Sequence, residues 1–286
     1  MAESPTVKRR RLGMLLKEFR VAAGMTTEQA AAELDRTDSW VSKIERGRSG
    51  LTRIYLEKIL DLYRVGEDVR AELTELAKGG RQRGWWSKYS SILSKQYSAY
   101  IGFEAEASRL LIYEGMVVHG LLQTSAYARA AIRAGNPDDA TATVDRKVEV
   151  RLNRQKRLVA EQPLRLQVVF DEAVLHRIVS GNRQVHLAQL DHLLDLADED
   201  NECIHLQVIP FDDNNFPGML PSFTLLEFRN DPELVYIETV TGDLYEDPPD
   251  THRYRMTFEN LRAAALSESS TRELIRRVRA EIAARA

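Results

Sequence analysis

The punctuation between residues 9 and 78 constrains the fold more than any other feature of the chain. Apolar side chains recur there at helical spacing, and capping residues or glycines interrupt the pattern. Leu12, Leu15, Leu16 and Phe19 share one helical face, and Gly24 ends the run as a C-terminal cap. Thr26 opens a second helix that runs to Leu34, with Glu28 in its first turn, where an acid complements the helix dipole. Thr37 N-caps a third helix running to about Arg46 and stopped by Gly47. A fourth runs from Thr52 to Tyr63, with Ile54, Leu56, Ile59, Leu60 and Tyr63 as its apolar stripe. A fifth, Glu67 to Lys78, turns Val69, Leu73 and Leu76 inward. Helices this short, joined by tight turns, read as a compact all-α unit.

"AKGGRQRG" (Ala77 to Gly84) breaks the pattern and marks a linker. Beyond it, Trp85 to about Ala134 reads as mainly helical, and Val144 to about Glu161 as a charged helix. Four β-like runs follow: "LRLQVVF" (164–170), "IHLQVIPF" (204–211), "SFTLLEF" (222–228) and "LVYIETV" (234–240). Two helices, Asp171 to Val179 and Gln184 to about Asp198, separate the first two runs. The last three runs are expected to be antiparallel neighbours, and the tail from Asp250 to Ala286 is helical with a break near "LSESS". The expected fold is mainly α with a smaller β part. It comprises a five-helix headpiece over 1–80, a linker or connecting helix over 81–97, and an α+β domain over 98–286 with a mostly antiparallel sheet.

The 286 residues are 43% hydrophobic and 29% charged, which suits a globular chain with a substantial core. No apolar stretch approaches the roughly 20 residues of a membrane helix. "MAESPTVKRRR" lacks the apolar core of a secretory signal. The single cysteine, Cys203, excludes an internal disulfide and suits a reducing cytoplasm, with the thiol as a small buried hydrophobe. The net charge is −3, but its distribution says more: Lys8 to Arg53 holds 11 basic and 6 acidic residues, whereas Gly84 onward holds 23 and 30. A basic head on an acidic body points to a nucleic-acid partner for the head, and the location expected of such a chain is the cytoplasm, at the nucleoid.

The second and third helices, with Asp35 and Arg36 between them, have helix-turn-helix spacing. Val41 and Ile44 lie three residues apart and pack inward. Asp38, Ser39, Ser42 and Lys43 occupy a different, largely polar face, and Thr37 at the cap is counted with them as a DNA contact. Asp38, Ser39 and Ser42 can donate to or accept from base edges, and Lys43 can reach guanine O6 and N7. Arg46, Arg48 and Arg53 follow where they can neutralise phosphates. Asp38 either accepts from cytosine N4 or only stabilises the helix N-terminus. Trp40 either meets a thymine methyl or sugar, or belongs to the core.

"FRVAAGMTTEQAAAELDRTDSWVSKIERGRSG" resembles the XRE-type, lambda-repressor-like helix-turn-helix domain over about residues 10–65. "MTTEQAA" matches the opening of the second helix, and "SWVSKIERG" matches the recognition helix. The resemblance implies an ion pair between Arg20 and Glu45 near the DNA backbone, bidentate and able to orient the recognition helix. Two positions depart. Thr27 stands where glutamine is usual, and still has an oxygen to cap the helix and touch phosphate. Asp35 stands where glycine is usual, at a point that must enter the left-handed region, which aspartate tolerates better than most residues.

"YIGFEAEASRLLIYEGMVVHGLLQTSAYARAAI" (Tyr100 to Ile132), "VEVRLNRQKRL" (148–158), "VFDEAVLHRIV" (169–179) and "LVYIETVTGDLYEDP" (234–248) resemble the C-terminal domain that follows XRE-type headpieces in actinomycete regulators, WhiJ-type regulators among them. This resemblance implies regulation of development or secondary metabolism and a small acidic protein partner encoded nearby. His119 departs from a common proline, and Asn215-Phe216 depart from a usual histidine.

No enzyme is expected, and no cofactor or metal. Asp171, Glu172 and His176 do not have zincin spacing, and "DLADEDNE" (195–202) lacks the glycine and glutamate of a calcium loop. P-loop, nucleophile-elbow and dinucleotide motifs are absent. "HGLLQT" (119–124) and "TGDLYEDP" (241–248) either line a pocket or partner groove, or are turns. The expected function is a homodimeric, sequence-specific transcription regulator bound to double-stranded operator DNA through residues 37–46 and modulated through its C-terminal domain. The alternative is an antitoxin-like module that binds a small protein from a neighbouring gene and uses DNA only for autoregulation.

Overall fold

The computed structural model describes residues 4–198, 200–212, 221–239 and 242–285. The chain forms two compact units, Met1–Lys88 with Ser98–Glu106, and Tyr89–Tyr97 with Ala107–Ala286.

The first unit holds α1 (Pro5–Ala22), α2 (Thr27–Glu33), α3 (Asp38–Glu45), α4 (Arg53–Leu62) and α5 (Glu67–Gly80), and α6 (Lys95–Glu104) adds its residues from Ser98. Local chemistry sets these boundaries. The side chains of Ser4, Thr26, Thr37 and Thr52 accept from Thr6, Gln29, Trp40 and Tyr55 backbone N–H groups, satisfying donors that a helix start leaves open. Pro5 sits at the first position of α1, where its missing N–H is no loss, so this helix starts ahead of the apolar pattern. The ends of the first four helices share one device. At Gly24, Asp35, Gly47 and Arg64 the chain turns left-handed, with φ of 70°, 52°, 64° and 55°. In each, the N–H of that residue and of the one after it reach back to helix carbonyls, as in Asp35 to Ala32 and Arg36 to Ala31. Leu12, Leu16, Ala30, Leu34, Val41, Ile44, Leu56, Ile59, Leu60 and Leu73 fill the common core. Ile54, expected on the apolar stripe of the fourth helix, is 68% exposed instead, and the half-buried Tyr55 packs on the core.

The second unit carries a sheet of β1 (Arg109–Glu114), β2 (Arg165–Asp171), β3 (Ile204–Ile209), β4 (Phe223–Glu227), β5 (Leu234–Ile237) and β6 (Leu244–Glu246), in the order β3-β2-β1-β4-β5-β6. The sheet is mixed, not mostly antiparallel: β1–β2 and β2–β3 are parallel, and β1–β4, β4–β5 and β5–β6 are antiparallel. The expectation that residues 204–211, 222–228 and 234–240 pair side by side therefore fails for the first of them. A helical crossover returns the chain in the same direction, which a tight turn cannot do. α7 (Ser125–Gly135) and α8 (Thr141–Gln155) lie between β1 and β2, and α9 (Ala173–His176) and α10 (Arg183–Leu196) between β2 and β3. β3 is thus placed at the far edge, two strands from β4's neighbour. β1 interrupts the stretch expected to be helical. Leu110, Leu111 and Ile112 are all fully buried, so both faces of this central strand are covered. A strand buried on both faces reads as an unbroken apolar run, which periodicity alone does not separate from a buried helix.

α11 (Thr251–Ala264) closes one face through Phe258 and Leu261 against Leu111, Tyr113, Val169, Phe223, Leu225, Val235 and Ile237. The turn into α12 (Glu268–Ala284) covers the β3 edge. Leu266 N–H donates to Val208 O, and Val208 N–H donates to the buried Thr271 Oγ1 at 3.1 Å. An exposed strand edge is an aggregation hazard, and this one is capped.

Candidate nucleic-acid interface

α2 and α3 are held by their caps. Thr26 and Gln29 form a reciprocal capping box at the start of α2. Thr27, read as a cap from the sequence, is the first helical residue and half-buried; Thr26 is the cap. Asp35 holds the left-handed turn at the end of α2, and Thr37 Oγ1 accepts from Trp40 N–H at 3.2 Å to begin α3.

α3 is then fixed on its inner side. Val41 and Ile44 are buried in the core. Arg20 of α1 grips Glu45 as a fork: Nε donates to Oε1 at 2.6 Å and Nη2 to Oε2 at 3.0 Å, while Nη1 donates to Met25 O at 2.8 Å. Both side chains are buried. The Glu45 carboxylate raises the pKa of Arg20. Burial, reinforced by Glu45, pushes the neighbouring Tyr63 hydroxyl up to about 12. Two glycines make the approach possible. A Cβ on Gly13 of α1 would lie 2.5 Å from the carbonyl oxygens of both Ile44 and Glu45. One on Gly47 would lie 2.6 Å from Arg10 Cα, at a φ of 64° that already favours glycine.

The outer side of α3 is polar and open. Thr37, Asp38, Ser39, Lys43, Arg46 and Arg48 are exposed, and Ser42 is half-buried. Among the described residues Lys43, Arg46 and Arg48 make no ion pair. Arg53 is exposed but engaged with Glu57 at 2.7 Å one turn on. Asp38 stands in the first turn of α3, where its charge complements the helix dipole. Trp40 is half-buried against the core, with its ring 5.3 Å from that of Tyr55.

The basic run Lys8 to Arg11 contributes less than its charge suggests. Arg9 donates to Gly80 O at 3.1 Å and burial lowers its pKa; Arg10 is buried; Arg11 faces Glu72 at 3.6 Å. Sequence reasoning also missed a cluster beside α3, formed by Arg36, Lys58 and Trp40 around Tyr55. The available signal was an arginine in the turn and an aromatic in the first turn of the fourth helix, off its apolar stripe.

In the second unit, Asp171, Glu172 and His176 do not share one helix: Asp171 ends β2 and Glu172 precedes α9. The Glu172 carboxylate is buried, accepts from Phe211 N–H at 2.9 Å and meets His176 Nε2 at 3.1 Å. "HGLLQT" is a turn held in place by α8. His119 and Gln123 are buried, Gln155 donates to Gly120 O and Gln123 O, and Arg151 donates to Gln123 Oε1 at 2.7 Å. Burial, with Arg154 and Arg151 nearby, holds the His119 imidazole well below its usual pKa. In "DLADEDNE", Asn201 closes the end of α10 by donating to Leu196 O, and Glu199 lies outside the described residues. Asn215, Phe216 and Thr241 also lie outside them. Cys203 is half-buried rather than buried. Among the described residues, no group of three or more His, Cys, Asp or Glu is placed to hold a metal, and no helix is long and apolar enough to cross a membrane.

Two family models match this chain. One, described as a helix-turn-helix domain, covers residues 11–73, and the other, described as a domain of unknown function (DUF5753), covers residues 97–277. No curated protein matches.

Proposed function

The chain belongs to the DUF5753 family and carries a helix-turn-helix domain ahead of that region, and from this premise we propose that it is a sequence-specific DNA-binding transcription regulator. The observation that carries the proposal is the division of α3 into two faces. The inner face is locked by the buried Arg20–Glu45 fork, and the outer face leaves Ser39, Lys43, Arg46 and Arg48 exposed. A helix so held has little freedom left to lose when it enters a major groove, so its side chains meet base edges already aimed. In this proposal Ser39, Ser42 and Lys43 read bases. Thr27, Thr37, Arg46, Arg48 and Arg53 contact the backbone, the last by exchanging Glu57 for phosphate. Asp38 tunes the first turn.

The larger unit is proposed as the regulatory body. Its helix-covered sheet offers a rigid frame for a homodimer contact, which would place two recognition helices about one DNA turn apart. The acidic balance from Gly84 onward, 23 basic against 30 acidic residues, disfavours its own approach to the duplex. A small acidic protein or a ligand acting on this unit would then set the activity of the headpiece.

Gel-shift titration against the DNA upstream of the protein's own gene, in rising salt, tests this function. Lys43→Ala and Arg46→Ala are each expected to weaken binding about tenfold, the loss of one good contact to DNA. Binding that ignores both substitutions would overturn the assignment of α3 as the reading helix.

A further inference from the structure

Among the cations of the headpiece, Arg36 is held in an unusual way. It occupies the turn between α2 and α3, one residue ahead of the Thr37 cap. Its guanidinium carbon lies 4.4 Å from the centre of the Tyr55 ring and 5.7 Å from that of Trp40. Nη2 donates to the Tyr55 hydroxyl. Lys58 Nζ lies 5.6 Å from the same ring, on its own helix α4. Arg36 is exposed and, among the described residues, has no carboxylate partner.

We infer that Arg36, stacked on Tyr55, is a pre-organised contact to a DNA phosphate at the rim of the groove that α3 enters; this rests on the DNA-binding reading above. The physical case has three parts. A guanidinium laid on an aromatic face keeps its edge donors directed outward, and one ring hydroxyl uses only part of that fork. The stack orders a flexible side chain before DNA arrives, so less rotamer freedom is lost on binding than for the unstacked Arg46 or Arg48. Its position completes the case. Side chains of the recognition helix face base edges, whereas the turn ahead of it meets the sugar–phosphate rim. Tyr55 therefore acts as a positioning residue, carrying α4 into the interface through Arg36, and Lys58 adds a second charge beside it.

The test uses the full-length protein and a mixed-sequence 30-base-pair duplex as probe, because non-specific binding is governed by phosphate contacts. Wild type, Arg36→Met, Arg36→Lys and Arg46→Ala are titrated between 50 and 200 mM salt, and the thermal midpoint of each is recorded. Loss of one phosphate contact reduces the salt slope by about 0.9, so Arg36→Met should lose about 3.5-fold less affinity than wild type across that salt range. Arg36→Lys keeps the slope but, without the stack, binds about two- to fivefold more weakly. A wild-type slope for Arg36→Met, whether or not its thermal midpoint falls, overturns the contact while Arg46→Ala, which removes a proposed backbone contact, still lowers the slope. If neither substitution lowers it, the DNA-binding reading of the headpiece fails as well.

Discussion

Arg20→Met tests the lock on α3 directly. The substitution keeps the apolar stem and removes the charge, leaving Glu45 buried without its partner and Met25 O without its donor. Two unit charges about 4 Å apart attract by about 4 kcal/mol at an effective dielectric of about 20. Breaking a buried pair from one side costs about 3–5 kcal/mol. The headpiece should therefore lose about 3–4 kcal/mol, a large part of the about 5–15 kcal/mol that holds a typical domain together. All three tryptophans, Trp40, Trp85 and Trp86, lie in the first unit, so tryptophan emission during urea unfolding of the full chain reports on that unit selectively. The urea midpoint should fall by about 1–4 M. Glu45→Gln keeps one acceptor but turns an amide donor toward Nη2, and should cost about 2 kcal/mol. The double variant Arg20→Met/Glu45→Met removes both charges and should recover most of the loss, with a coupling energy of about 2 kcal/mol or more. Single variants that each cost less than about 1 kcal/mol and simply add would refute the reasoning. The pair would then be an ordinary surface pair, and α3 would be held by Val41 and Ile44 alone.

Gly13→Ala sets a helix-propensity gain of about 1 kcal/mol against a methyl 2.5 Å from two backbone oxygens; the clash should win by about 1–3 kcal/mol and lower the same urea midpoint. Asp35→Gly should stabilise the headpiece by about 0.5–1 kcal/mol and raise that midpoint, because φ is 52° there, and Asp35→Val should lower it. Acid should remove the histidine contribution to the second unit, against Glu114, whose carboxyl is pushed up to about 7 by burial and gains stability as pH falls. Burial lowers the pKa of His119, His186 and His192, so these rings stay neutral when folded and protonate more readily when unfolded. The histidine share of the stability is then full above the unfolded value of about 6.5 and falls as pH drops below it. His186 Nε2 lies 2.7 Å from Leu175 O, and His186→Gln keeps a donor there without a titrating ring; hydrogen exchange in this unit should show a shallower acid loss, and an unchanged one would exclude His186 as a contributor.

The headpiece was legible because its instructions are local. Thr26, Thr37 and Thr52 start helices within the reach of one side chain, and Gly24 and Gly47 stop them through their own φ, so neighbours in sequence specify each boundary. Even the left-handed turn at Asp35 is a property of one residue in its place. Ile54 and Tyr55 show where that locality ends: which of two adjacent apolar residues turns inward depends on Trp40 of α3 and Arg36 of the turn before it. The second unit depends on distance along the chain throughout. "RLLIYE" carries no punctuation, and it becomes a central strand only because β2 and β4, far along the sequence, supply its hydrogen bonds. The parallel placement of β3 follows from helices that must pack before the strand can return. By itself the sequence determined the helices, their caps and the polar character of α3. Tertiary structure alone decided the mixed sheet, the burial of Arg10 with the engagement of Arg9 by Gly80 and of Arg11 by Glu72, and the stacking of Arg36, because each joins groups whose meeting no short stretch of sequence encodes.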